Sequence, residues 1–363
     1  MAKNAGAFVN YKSIYMTFKY LKIFIFIFIT PSLVNGQKLV SDEPSKFGWD
    51  ESAINMIHER ATQMDRLNSL LILRRDTLVY EKYYNKFTKE DYSNIKSASK
   101  SILNLLVGIA VEKQYIASID ETIFAYLPEL FDDTSDLKKQ EITIRHLMLM
   151  QSGLKPTSLS NYAPWVASED WLQYAIDQPL EALPGELYGY STGDTHLLAA
   201  VLSKASGMTA LQFAEKYLYT PMGITIQEWS TDPKGNHEGG NNVYIKPIDL
   251  AKIGVMVRQG GLYNGEQIVS KDWISESTAY QVEPQGISRP FEINGYGYLW
   301  WLVKALKYDT YSAIGFGGQY MMTIPELDVI IVLTSQYKGS APNSHFQSIA
   351  DLIENHILKS LEL

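Results

Sequence analysis

The 363-residue sequence predicts an α+β fold: an antiparallel sheet assembled from both ends of the chain and flanked by helices, with a mostly helical region inserted at about 115–260. Three observations carry this expectation. Stretches rich in aromatic and β-branched residues lie near residues 70–80 and again between 296 and 334. The chain between them has helical patterning broken by Gly and Pro. A composition of 46% hydrophobic and 20% charged residues suits a sizeable packed core.

Taken in order, apolar residues recur at helical spacing from Phe47 to Met64 and predict an opening amphipathic helix. Leu70-Leu71-Ile72-Leu73, Arg75-Asp76 and Leu78-Val79-Tyr80 read as a hairpin with a polar turn. The next helix carries Ile102, Leu103, Leu105, Leu106, Val107, Ile109 and Ala110; it is apolar nearly all round and should be buried. Pro156, Pro184-Gly185, Pro221 and Gly239-Gly240 punctuate the helical insert. Strands are expected at 296–303, 311–314, 320–324 and 329–334, with turns at 315–318 and 325–328, before a closing helix over 344–358. A cleft between the sheet and the helical insert is the natural place for a site.

The N-terminus has its own pattern. Lys19 and Lys22 precede the apolar run Ile23–Ile29, and Thr30-Pro31-Ser32-Leu33-Val34-Asn35-Gly36 follows. A basic region, a short apolar run and a small residue at a cleavage point read as a secretory signal over residues 1–36, leaving 37–363 as the mature domain; the alternatives are an uncleaved anchor and a buried hydrophobic segment. The run falls short of the ~20 residues that span a bilayer. The expectation is an exported protein, periplasmic or secreted, with no membrane role beyond the signal.

A formal charge of −8 argues against nucleic acid as a partner, because such a surface must displace counterions from phosphates. The chain has no cysteine, which removes thiol nucleophiles, disulfides and thiolate metal sites. The six histidines show no metal-ligand spacing, so neither metal nor cofactor is expected. There is no G-x-S-x-G elbow, no phosphate-binding P-loop and no H-E-x-x-H helix.

What remains is serine with lysine three residues on, a spacing that puts both side chains on one helix face. A desolvated lysine gives up its proton more readily, and the free amine can activate the serine. Five copies occur: Ser93/Lys96, Ser97/Lys100, Ser135/Lys138, Ser152/Lys155 and Ser335/Lys338. Context favours Ser97/Lys100, which alone opens the buried apolar helix; there the helix dipole favours developing negative charge and burial acts on the lysine. The competing reading of Ser97 is a helix cap. A helix cap is likewise the structural reading of Asp194, ahead of the run His196–Leu202.

Ser97-Ala98-Ser99-Lys100-Ser101 resembles the first motif of the serine β-lactamase and penicillin-binding superfamily, in its class C and esterase branch, and is most similar to 6-aminohexanoate-oligomer hydrolases. Further blocks follow in that family's order. They are 141–147 leading to Gln151-Ser152-Gly153-Leu154, Pro184-Gly185-Glu186-Leu187-Tyr188-Gly189-Tyr190-Ser191-Thr192, Pro221-Met222-Gly223-Ile224, Pro247-Ile248-Asp249-Leu250-Ala251, Tyr296–Trp301, and Gly315-Phe316-Gly317-Gly318-Gln319 with Ile324–Asp328. The resemblance covers about 48–360. It implies a β-lactamase/transpeptidase-like fold and acyl transfer with Ser97 as nucleophile and Lys100 and Tyr190 as proton shuttle. It further implies an oxyanion hole from the N–H groups of Ser97 and Phe316, with Gly315, Gly317 and Thr192 at the substrate.

Two departures bear on substrate. The tyrosine motif ends in Thr192 where many β-lactamases have Asn, and Ala313 and Ile314 precede Gly315 where a Lys or His would meet a β-lactam carboxylate. Both point to a small ester or amide. The alternatives are a D-Ala-D-Ala peptidase or β-lactamase-type enzyme, and a non-catalytic binding protein on the same fold. Nothing in the residues speaks to oligomeric state.

Overall fold

The computed structural model describes Met1 and residues 39–131, 136–285, 290–339 and 341–362. The export signal expected over 1–36 lies, Met1 apart, outside the described residues, as does Ser135.

The N-terminal hairpin forms as the alternation demands. β1 (Leu67–Arg74) and β2 (Thr77–Tyr83) pair antiparallel, and Arg75 and Asp76, at φ 50° and 62°, make the two-residue left-handed turn that matches strand twist. The helix expected from Phe47 begins later, as α1 (Glu51–Thr62), because the Asp50 carboxylate caps the Ala53 N–H at 2.8 Å. A two-residue strand, β3 (Ser93–Asn94), precedes the apolar helix α2 (Ser99–Glu112), which is buried from Ser99 through Ala110.

The insert contains α3 (Ile144–Met148), α4 (Tyr162–Val166), α5 (Trp171–Asp177), α6 (Thr192–Ser206) and α7 (Ala210–Ala214), the last continued by a wider turn over Glu215–Tyr219. It is less purely helical than the Gly/Pro punctuation suggested. β4 (Ile226–Trp229) and β5 (Val243–Ile245) join β3 in a three-stranded sheet, and such short strands carry no period-2 signature to read. α8 (Pro247–Arg258), a small hairpin of β6 (Leu262–Tyr263) and β7 (Glu266–Gln267), and α9 (Lys271–Ser277) follow.

The C-terminal third supplies β8 (Glu292–Tyr296), β9 (Trp301–Ala305), β10 (Tyr308–Gly315), β11 (Gln319–Ile324) and β12 (Val329–Ser335), then α10 (Asn343–Asp351), which runs on to Leu358 as a wider coil. The single strand expected at 296–303 is two strands. Between them Leu299 turns left-handed at φ 59°, and the Tyr298 and Leu299 N–H groups bond to Ser277 and Met148 carbonyls instead of a neighbouring strand.

The main sheet runs β2-β1-β12-β11-β10-β9-β8, so β12 from the chain's end pairs with β1 from its beginning, Leu70 opposite Leu333 and Ile72 opposite Ile331. Every residue of β11 and β12 is buried, which requires cover on both faces. α8 packs against β1, β11 and β12, α2 against β10 and α6, and α1 against β1 and the terminal helix. Trp165, Trp171, Trp300 and Trp301 are core residues. Among the described residues no single helix is long and apolar enough to cross a membrane.

Candidate active site

Ser97 stands in the short 3-10 turn Lys96–Ala98 that leads directly into α2. The turn is entered through Lys96 at φ 50°, a left-handed conformation that costs a residue with a Cβ about 1–2 kcal/mol. It is held from both sides: the Lys96 N–H bonds to Asn94 Oδ1 at 3.0 Å, and the Lys96 carbonyl accepts the Ser99 hydroxyl at 2.8 Å. The Ile95 N–H reaches across to the Val243 carbonyl of β5 at 3.0 Å.

Lys100 follows one turn later, 1% exposed. Its Nζ lies 3.4 Å from Ser97 Oγ, 3.4 Å from Thr192 Oγ1 and 2.7 Å from the Gly240 carbonyl, and 5.4 Å from the ring centroid of Tyr190. Burial pulls the Lys100 pKa below its ordinary value; the neighbouring Tyr190 and Glu238 oppose that by favouring the ammonium. Of the S-x-x-K copies whose serine and lysine are both described, this is the one joined by a hydrogen bond between the two side chains.

Tyr190 enters from the other side, its ring 5.6 Å from that of Trp301. It lies two residues before α6, whose start is fixed by Ser191 accepting from the Asp194 N–H at 3.3 Å. Asp194 is therefore not the cap the sequence suggested; it is the third residue of the helix, because the helix begins before His196. Two residues that sequence reasoning missed hold the same end: Ser158 Oγ accepts the Thr192 N–H at 2.9 Å, and Thr157 Oγ1 accepts that of Gly193 at 2.7 Å. The Asp194 carboxyl is buried, Oδ2 finds no partner among the described residues, and burial pushes its pKa up to about 7 against hydrogen bonds from Ser152 and Ser191.

The floor under Lys100 was also missed. Gly239-Gly240 read only as a helix break, yet a Cβ on Gly240 (φ +75°) would stand 2.3 Å from Lys100 Cγ, and one on Gly239 1.9 Å from the Thr195 carbonyl. The loop is pinned to α6 by Thr195 Oγ1 donating to the Gly239 carbonyl at 2.7 Å, and by the Gly239 N–H donating to His196 Nδ1 at 3.3 Å. That bond leaves the His196 proton on Nε2, facing Asp232 Oδ2 at 3.1 Å. Paired glycines inside the polar run 235–242 were the available signal.

Gly315 ends β10 against the Ser97 turn: a Cβ there would lie 2.1 Å from the Ile95 carbonyl and 3.1 Å from the Ala98 nitrogen. Phe316, next along, has its side chain half exposed, and Gly317 and Gly318 turn the chain at φ +81° and +96°. Gln319 clips the turn by bonding both ways with the Ser335 backbone at 2.7 and 3.2 Å. The structure thus gathers Ser97, Lys100, Tyr190, Thr192 and Gly240, and sets the Gly315 backbone against the serine turn. Among the described residues no three His, Asp or Glu side chains cluster as metal ligands.

The family model described as beta-lactamase matches residues 64–354, spanning every element of this site. The chain belongs to the beta-lactamase family. Its relatives in this family include the 6-aminohexanoate-dimer hydrolase of Paenarthrobacter ureafaciens, 24% identical over 287 residues that cover 74% of this chain and 72% of that protein. Among solved structures, a putative 6-aminohexanoate-dimer hydrolase from Bacillus anthracis superposes with a TM-score of 0.67 at 19% identity, covering 85% of this chain and 81% of that one. EstCE1, a hydrolase with promiscuous acyltransferase activity, gives 0.68 at 16% identity, covering 84% of this chain and 99% of that one. These likenesses bear out the α+β beta-lactamase fold and the serine-hydrolase family read from the sequence.

Proposed function

We propose that this beta-lactamase-family protein is an exported serine hydrolase that cleaves an ester or amide through an acyl-enzyme. The observation that carries the reading is the fully buried Lys100 amine, within hydrogen-bonding distance of Ser97 Oγ and under the ring of Tyr190. Ser97 attacks the carbonyl, and its proton passes to Lys100, whose lowered pKa makes the free amine available. Tyr190 relays the proton to the leaving oxygen or nitrogen as the carbonyl–leaving-group bond breaks. Water then attacks the acyl-enzyme, the proton returns to Ser97, and the acid is released.

The N–H groups of Ser97 and Phe316 hold the oxyanion. This assignment is supported by the backbone approach at Gly315, which only a residue without Cβ permits. Thr192 sits beside Lys100 at the substrate edge, and Gly315 and Gly317 line the opposite edge. An ester or amide substrate is supported by the names of the related hydrolases and by the buried, uncharged Ala313 and Ile314 before Gly315. Export rests on the signal pattern at 1–36. The test is turnover of p-nitrophenyl acetate by the mature chain beside Lys100→Met and Tyr190→Phe. Removing the proton acceptor should lower kcat/KM by about 10²- to 10⁴-fold. Turnover unaffected by both variants contradicts the proposal.

A further inference from the structure

The residue before the nucleophile is a half-buried lysine whose charge meets no carboxylate directly among the described residues. Among them the Lys96 ammonium makes one hydrogen bond, to the neutral Asn242 Oδ1 at 2.8 Å, and lies 4.8 Å from the ring centroid of Tyr337. Lys246, just past β5, instead pairs with Glu90 at 2.7 Å. The carboxylate closest to Lys96 in the hydrogen-bond network is Glu238, and it is engaged elsewhere. Its oxygens accept from Asn242 Nδ2 at 2.5 Å and from the Tyr162 hydroxyl at 3.1 Å, so it reaches Lys96 only through Asn242. An ammonium has three donors, and two remain after Asn242.

The position is specific. Asn242 lies two residues beyond Gly240, the acceptor of Lys100. Tyr337 stands against the glycine turn, its Cα 3.2 Å from where a Gly317 Cβ would be. Lys96 therefore reaches both segments that border Ser97. It does so from a left-handed backbone that Gly or Asn would occupy at lower cost, which points to a use for this side chain. Burial lowers the Lys96 pKa, and Tyr244 and Glu238 oppose that; an anionic ligand would oppose it further.

We propose that Lys96 is a specificity determinant that binds a carboxylate carried by the substrate, so that the preferred ester or amide is anionic. The proposal rests on the hydrolase reading above. It supplies, from the serine turn, a cation that β10 lacks at Ala313 and Ile314.

The test compares kcat/KM for a neutral and a carboxylated ester within each protein, so that a general loss of activity cancels. One pair is p-nitrophenyl acetate and mono-p-nitrophenyl glutarate, with the charge on the acyl side. The other is phenyl acetate and 4-acetoxybenzoate, with the charge on the leaving group. Wild type should prefer the carboxylated member of one pair by about ten- to a hundredfold, the range of a hydrogen bond to a charged group. The preference should collapse in Lys96→Met, survive in Lys96→Arg, and collapse in Asn242→Asp, which places an internal carboxylate on the ammonium. No preference in wild type, or a preference that survives both Lys96→Met and Asn242→Asp, overturns the role of Lys96 while leaving the hydrolase reading intact. Absence of turnover on all four esters overturns the hydrolase reading, and the role of Lys96 with it.

Discussion

Gly240→Ala is the substitution on which the site's geometry makes its sharpest demand. The new methyl group meets two independent penalties. At φ +75° an alanine pays about 1–2 kcal/mol for the left-handed backbone. Its Cβ would also stand 2.3 Å from Lys100 Cγ, and relieving that overlap in a packed interior costs roughly another 1–3 kcal/mol. The loop cannot simply retreat, because the Gly239 carbonyl and N–H are both tied to α6. Lys100 is the group that moves, and a displacement of about 1 Å in a reacting group costs on the order of 10²-fold in rate. Gly207 provides the control: its φ is +69°, but none of the described residues lies within 4 Å of a Cβ there. Gly207→Ala should lose only the backbone penalty of about 1–2 kcal/mol and keep its activity. Urea denaturation with p-nitrophenyl acetate kinetics reads both quantities. Gly240→Ala with wild-type kcat/KM, or the two variants losing activity equally, would refute the reasoning.

Two further predictions concern buried polar groups around α6. His196→Phe removes the acceptor of the Gly239 N–H and one of the donors to Asp232, which keeps those of Lys234 and Asn236, so stability should fall by about 1–3 kcal/mol for the stranded N–H and turnover should fall with it, whereas His196→Gln should recover part of both; thermal melts and ester kinetics check this. Asp194 has its pKa raised from 3.8 to about 7, so between those values the folded chain binds more protons than the unfolded one. Its contribution is full below about pH 4 and is lost as pH rises through 7, and Asp194→Asn should therefore gain on wild type by a few kcal/mol, at roughly 1.4 kcal/mol per pH unit, between pH 4 and 8. Urea titrations at pH 5 and 8 measure the difference; a gap independent of pH would contradict the assignment.

Features governed by local chemistry were legible in the sequence. The hairpin at Arg75-Asp76, the buried helix behind Ser97 and the strands around Gly315–Gly318 all announce themselves through alternation, uniform apolarity or glycine. Ser97 and Lys100 were legible as a pair, although five copies of their spacing exist, because only one opens a buried helix. Features settled by distant contacts were not. Gly297–Trp300 reads as strand until the carbonyls of Ser277 and Met148 claim its N–H groups. β4 and β5 are too short for periodicity, and their pairing with each other, and of β5 with the distant β3, is what makes them strands. Gly240, Thr157 and Ser158 act on the site from 34 or more residues away in sequence, where no local rule connects them.

The most direct test of the central claim is peptide-level mass spectrometry of the mature protein after reaction with a fluorophosphonate, with Ser97→Ala beside it. The account predicts one adduct, on the peptide carrying Ser97, and none in the variant. An adduct on another serine, or one that persists in Ser97→Ala, would contradict it.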